Sequence, residues 1–282
     1  MRNRLVACVG LALLTVTSAR AGTAPETVAF PSGSKILHGL LYRPIGKGPF
    51  PALLYNHGSS PGLISNAAFD AIAPHFIAMG WVFFAPYRRG QGLSSEAGPF
   101  IGAEIGAALK AGGMAAGDAT LVRLLSGAQL DDQLAALAWL ESQPFVQSRR
   151  IAVMGNSFGG IETVLGAERH PYCAAVNLTG AAMSWSEAPA LRKLMTRAVQ
   201  QSRAPLLFIQ AENDYSVEPS RELYAAARAA HRDVEIHIFP PFRGGGSGGM
   251  QGHSFAWLGV EEWWPEAYEF LEEHCRADAA LQ

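Results

Sequence analysis

The chain has 282 residues, 49% of them hydrophobic and 16% charged, with a formal net charge of −2. This is the composition of a packed globular protein, and it argues against disordered and nucleic-acid-binding classes, which need low hydrophobicity or a basic face. The length suits one α/β unit.

At the N-terminus, Arg2 and Arg4 precede an apolar run over 5–16, and Ala19-Arg20-Ala21 supplies a small-x-small cleavage pattern. The expectation is a signal peptide over 1–21, cut after Ala21, and an exported mature chain, secreted or periplasmic. The run is shorter than the ~20 apolar residues needed to span a bilayer, so no stable membrane association is expected after cleavage. Cys8 comes too early for a lipoprotein site. Cys173 and Cys275 then remain; in an exported protein they either pair or stay as buried thiols.

Residues 27–30 and 36–43 read as two strands joined by the turn Pro31-Ser32-Gly33-Ser34. A buried strand over 51–56 ends at His57-Gly58. A helix over 67–79 stops at Gly80, and a further strand covers 81–85. From 88 to 117 the chain is Gly- and Ala-rich, with one helix expected over 101–110. Clearer helices follow over 118–125 and 130–141. Strands over 151–154, 174–178, 206–210 and 234–239 then alternate with helices over 158–169, 191–200 and 219–230. A helix from about 262 to 274 closes the chain. Strands separated by helices require right-handed crossovers, hence a mostly parallel sheet of about eight strands with helices on both faces. No linker or repeat divides the chain, so 22–282 reads as a single domain. The glycine-rich patch at 244–249 is expected to be a mobile loop.

Gly155-Asn156-Ser157-Phe158-Gly159 lies between a predicted strand and a predicted helix. That setting lets small residues form a strained turn that lifts a serine hydroxyl above the sheet edge. Ser157 is the candidate nucleophile, and it needs a base. Asp214 follows the strand over 206–210, and His253 follows the last strand, so acid and base come in the required order. Glu212 competes with Asp214 but lies nearer the strand. His237 and His274 sit inside predicted elements and His231 on the far side of the sheet, so they reach less easily. Two backbone N–H groups must receive the oxyanion. Phe158 is one, and Ser59 the first choice for the other, ahead of Ser60. His57 reads as a brace for that loop. Arg88 and Arg89 either hold a substrate carboxylate or brace loops, with bracing preferred. Tyr215 and Trp185, with Met183, Phe255 and Trp257, lie next to strand ends and could wall an acyl pocket. Glu162 reads as a helix-face residue without a role. No cofactor or metal is expected, since the histidines and cysteines show no ligand spacing.

His57-Gly58, Tyr87-Arg88-Arg89-Gly90-Gln91-Gly92, Gly155-Asn156-Ser157-Phe158-Gly159-Gly160, Asp214, Phe239-Pro240-Pro241-Phe242 and Gly252-His253-Ser254-Phe255 together resemble the α/β-hydrolase superfamily. The chain is similar, more narrowly, to its dienelactone-hydrolase-like and prolyl-oligopeptidase-like branch. The resemblance implies that fold and a Ser157–Asp214–His253 triad. Dienelactone hydrolases proper carry a cysteine nucleophile, so Ser157 favours a broader esterase acting on small-molecule esters. About 130 residues precede the elbow after signal cleavage, too few for a propeller domain, which makes a peptidase or amidase the weaker alternative. A non-catalytic binding protein is a third, and the intact Ser, Asp and His argue against it.

Overall fold

The computed structural model describes residues 24–60 and 66–276. The expected signal peptide, 1–21, lies outside the described residues. β1 (Glu26–Ser32) and β2 (Lys35–Tyr42) form the opening hairpin. β3 (Phe50–Asn56), α1 (Ala67–Ala78) and β4 (Val82–Pro86) follow. A short 3-10 segment, Gly92–Ala97, leads to α2 (Ile101–Leu125) and α3 (Ala128–Glu141). β5 (Val146–Asn156), α4 (Phe158–Arg169), β6 (Ala175–Leu178) and α5 (Pro189–Gln200) come next. β7 (Leu206–Ala211), α6 (Glu218–Ala229) and β8 (Val234–Phe239) complete the sheet. α7 (Gly249–His253), α8 (Phe255–Leu258) and α9 (Val260–His274) end the fold.

The eight strands form one sheet in the order β1-β2-β4-β3-β5-β6-β7-β8. β2 runs antiparallel to both neighbours, β1 and β4, and the remaining pairs are parallel. This is the expected α/β-hydrolase architecture. The central strands read as unbroken apolar runs because helices cover both sheet faces. Side chains still alternate between two cores. Ala52, Leu54, Val153, Leu206 and Phe208 pack on the side of α2 to α6. Leu53, Tyr55, Met154, Leu207 and Ile209 pack on the side of α1 and α9. Leu53 and Leu54 are fully buried, and truncating either to Ala would cost roughly 2–5 kcal/mol.

The structure adds detail to three local expectations. The helices expected over 101–110 and 118–125 are the two halves of α2, which breaks where Gly113 takes φ 71° and ψ −168°. Its Gly/Ala-rich first half packs through Ile101, and Leu121, Leu124 and Leu125 give the packing face near its end. The glycine patch begins as a bend and then winds into α7; Ser254 Oγ donates to Gly244 O at 2.9 Å and closes it onto the helix. Of the two states left open for the cysteines, the paired one is found. Cys173 and Cys275 form a disulfide with Cα atoms 5.1 Å apart, joining the approach to β6 to the end of α9.

Candidate active site

Ser157 caps α4 immediately after β5, with φ 56° and ψ −120°. A positive φ on a non-glycine residue costs about 1–3 kcal/mol and persists only where its surroundings enforce it. Here the Ser157 N–H donates to Leu178 O at 3.0 Å, and Ser157 O accepts from Gly160 and Ile161 N–H. The turn is crowded as well. A Cβ on Gly159 would sit 1.9 Å from Asn56 O, so only glycine lets α4 start so close to β3.

Polar side chains lock the elbow to the loop after β3. Asn156 Oδ1 accepts from Tyr55 Oη at 2.9 Å and from Gly58 N–H at 3.0 Å. Gln91 reaches across from the loop after β4, its Oε1 accepting from Ser59 Oγ at 3.0 Å and Ser60 N–H at 3.4 Å. Ser59 and Ser60 line the same cavity as Ser157, and Ser60's N–H is turned to Gln91.

His253 ends α7 and Asp214 lies in the turn after β7. His253 Nδ1–H donates to Asp214 Oδ1 at 2.9 Å, with both side chains almost wholly buried. Asp214 is itself held. Gln210 Nε2 donates to its Oδ2 at 2.7 Å, and Tyr215 N–H to its Oδ1 at 2.7 Å. Gln210 also donates to Ser216 O and accepts from Ser220 Oγ. Sequence reasoning missed Gln210, which is fully buried at the end of β7; a polar residue closing the apolar run Leu206–Ile209 was its only signal. The Tyr215 ring meets the His253 imidazole edge-on at 5.6 Å, and its side chain is half-exposed.

Ser157 and His253 line one cavity of about 550 Å³. Gly58, Ser59 and Ser60 form one side of it. Ala67, Ala68 and Phe69 from α1, with Met183, Met250 and Trp257, supply apolar walls. The structure thus brings Ser157, His253 and Asp214 together with Ser59 and, one residue beyond the nucleophile, Phe158.

Other expected residues lie elsewhere. Arg88 is buried away from the cavity wall. Its Nη2 donates to His57 O at 2.8 Å and its Nε to Gln129 Oε1 at 3.2 Å, so it braces the loop after β3. Its backbone N–H donates to His57 Nε2, while His57 Nδ1 bonds Gly58 O. Burial, with the Arg88 charge beside it, holds the His57 imidazole well below its usual range, so it is neutral at neutral pH. Arg89 forks onto Asp132, with Nη2 to Oδ1 at 2.6 Å and Nε to Oδ2 at 2.9 Å. Trp185, expected at the substrate, packs instead into the core under α2 to α6. Glu162 is not on an exposed helix face: it is fully buried, and neither carboxylate oxygen has a hydrogen-bond partner among the described residues. Burial pushes its carboxyl up to about 8, with Arg88 opposing the shift.

Among known families, the dienelactone hydrolase family matches residues 39–258. The chain belongs to the dienelactone hydrolase family. The match covers most of the sheet and both Ser157 and His253. This dienelactone hydrolase family member is similar in fold to an acylaminoacyl peptidase of Pyrococcus horikoshii, with TM-score 0.66 and 18% identity over 92% of this chain and 43% of that one. It is similar to dipeptidyl peptidase 4 of Porphyromonas gingivalis, with TM-score 0.63 and 16% identity over 90% and 36%. An esterase of Pyrococcus furiosus also gives TM-score 0.63 and 16% identity, over 89% and 93%. The chain therefore spans less than half the length of the two peptidases and nearly the whole of the esterase. At such identities the likeness is one of fold.

Proposed function

We propose that this protein is an exported serine hydrolase that cleaves carboxylic esters, lactones included, through Ser157, His253 and Asp214 and without a cofactor. The observation that carries the reading is the Asp214–His253 hydrogen bond at the wall of the cavity that Ser157 also lines. With Nδ1–H committed to Asp214, the lone pair of the neutral imidazole is on Nε2. That nitrogen takes the Ser157 proton as Oγ attacks the ester carbonyl. The resulting oxyanion is received by the N–H groups of Phe158 and Ser59, the first of them at the positive end of α4. His253 then passes its proton to the leaving alcohol, and a water molecule, activated in the same way, releases the acid from the acyl-enzyme.

Ester cleavage is preferred because the cavity at Ser157 is of small-molecule size; an esterase and two peptidases share the fold. The amidase alternative draws on those same peptidases. The Cys173–Cys275 bridge supports export, since such bonds persist in oxidising compartments. Of the residues expected to wall an acyl pocket, Met183 and Trp257 line the cavity, and Tyr215 stands edge-on to His253. A panel of p-nitrophenyl esters beside aminoacyl p-nitroanilides tests the proposal. Esters should turn over far faster, and anilide turnover rivalling theirs would reverse the assignment.

A further inference from the structure

We infer that the substrate group seated beside Ser157 is neutral and apolar, held by Met183, Met250 and Trp257 against the α1 wall, and that the site rejects acyl groups bearing a carboxylate or an ammonium. This rests on the ester-hydrolase reading and narrows it.

Among the described residues that line the cavity there is no Asp, Glu, Lys or Arg. The two ionisable groups at the wall are histidines, and both are committed. His57 has both ring nitrogens engaged and is kept neutral by burial. His253 is bound to Asp214. The charges packed behind the site face other partners: Arg88 the His57 carbonyl and Gln129, Arg89 the Asp132 carboxylate, and Asp214 the imidazole together with Gln210. A charged acyl tail entering this cavity would lose its water and find no counter-charge, a penalty that falls on the transition state as on the bound substrate.

The apolar walls fit the converse. The volume suits a small-molecule ester rather than a polymer. Two of the wall residues are methionines, whose unbranched thioethers adapt to chains of different shape. Met183 is 57% exposed and forms the rim of the cavity. Trp257 lies edge-on to His253 at 6.5 Å and gives the acyl chain a flat face next to the reacting carbonyl.

The test compares p-nitrophenyl hexanoate with two esters of the same chain length, the adipate monoester with a terminal carboxylate and 6-aminohexanoate with a terminal ammonium. The hexanoate should exceed both by about a hundredfold or more in kcat/KM. A charged ester turned over within about threefold of the hexanoate would overturn the inference. Met183→Lys supplies a counter-charge at an exposed position, and it should raise the adipate-to-hexanoate ratio about tenfold. An unchanged ratio would count against Met183 as a wall for the tail. Fluorophosphonate labelling keeps the two levels apart. If Ser157 is labelled and all three esters are cleaved alike, the substrate class is wrong and the hydrolase stands. If nothing is labelled or cleaved, the hydrolase reading itself falls.

Discussion

A Cβ placed on Gly252 would lie 2.2 Å from the backbone nitrogen of Asp214. The residue before the proposed base, His253, thus packs directly on the backbone of the proposed acid, Asp214. The contact sets how closely α7 can approach the turn after β7, and so holds His253 Nδ1 at 2.9 Å from Asp214 Oδ1. Gly252→Ala should push the two apart. The expected result is a fall in kcat of about a hundredfold with the fold retained, since small misplacement of a catalytic group is that costly. Circular dichroism beside steady-state ester kinetics checks both halves.

Gln210 acts one step further back. It holds Asp214 Oδ2 and gathers Ser216 and Ser220 around the same turn. Gln210→Met keeps a similar volume and removes the donor. It should lower kcat about tenfold with little change in KM, because the cavity walls are untouched. It should also alter the pH–kcat profile, which a purely structural role would leave in place.

Glu162 gives a pH dependence of stability whose sign follows from burial. An unfolded chain titrates this carboxyl near 4.5, and the folded protein near 8. Below the lower value both states are protonated and the group is neutral in its effect. Between the two, the unfolded chain releases its proton while the fold keeps it, so stability falls as pH rises, by an amount on the order of 5 kcal/mol in total. Glu162→Gln retains the shape without the titration. Urea midpoints at pH 5 and pH 8 should diverge in the native protein and converge in the variant.

The disulfide lies away from the chemistry. Cys173 precedes β6, whereas Ser157 and Asp214 follow the far ends of β5 and β7. With its cysteines 102 positions apart in sequence, the bridge should contribute about 2–5 kcal/mol, mostly by restricting the unfolded chain. The double variant Cys173→Ser, Cys275→Ser should melt several degrees lower and keep its kcat at moderate temperature. Calorimetry and ester assays on the same preparation measure both.

What could be read ahead of the structure was whatever local chemistry determines. The elbow is such a case: an apolar run, two glycines around Ser157 and a helical pattern after it force one turn geometry. The order Ser157, Asp214, His253 is fixed by connections between strands, which periodicity reveals. Side-chain direction is a different matter. Arg88 follows a strand end on the active-site side, where it could meet substrate or brace a loop; Gln129 on α3 and the His57 carbonyl turn it inward, the bracing role preferred from the sequence. Trp185 follows β6 and is drawn into the core by α2 to α6. Glu162 read only as a helix-face residue because its one unusual feature, full burial near Arg88, depends on how α4 docks. The pairing of Cys173 with Cys275 likewise depends on where α9 ends against the sheet. Composition alone left it open.

The central claim is that Ser157 is the nucleophile. Treatment with a fluorophosphonate, followed by peptide mass mapping, should find one adduct, on Ser157, formed in step with loss of ester hydrolysis. Ser157→Ala should take no label and lose turnover by about four or more orders of magnitude, as triads do when the nucleophile is removed. A Ser157→Ala protein that still cleaves esters at the native rate, or an adduct on another residue that accounts for the lost activity, would contradict the account.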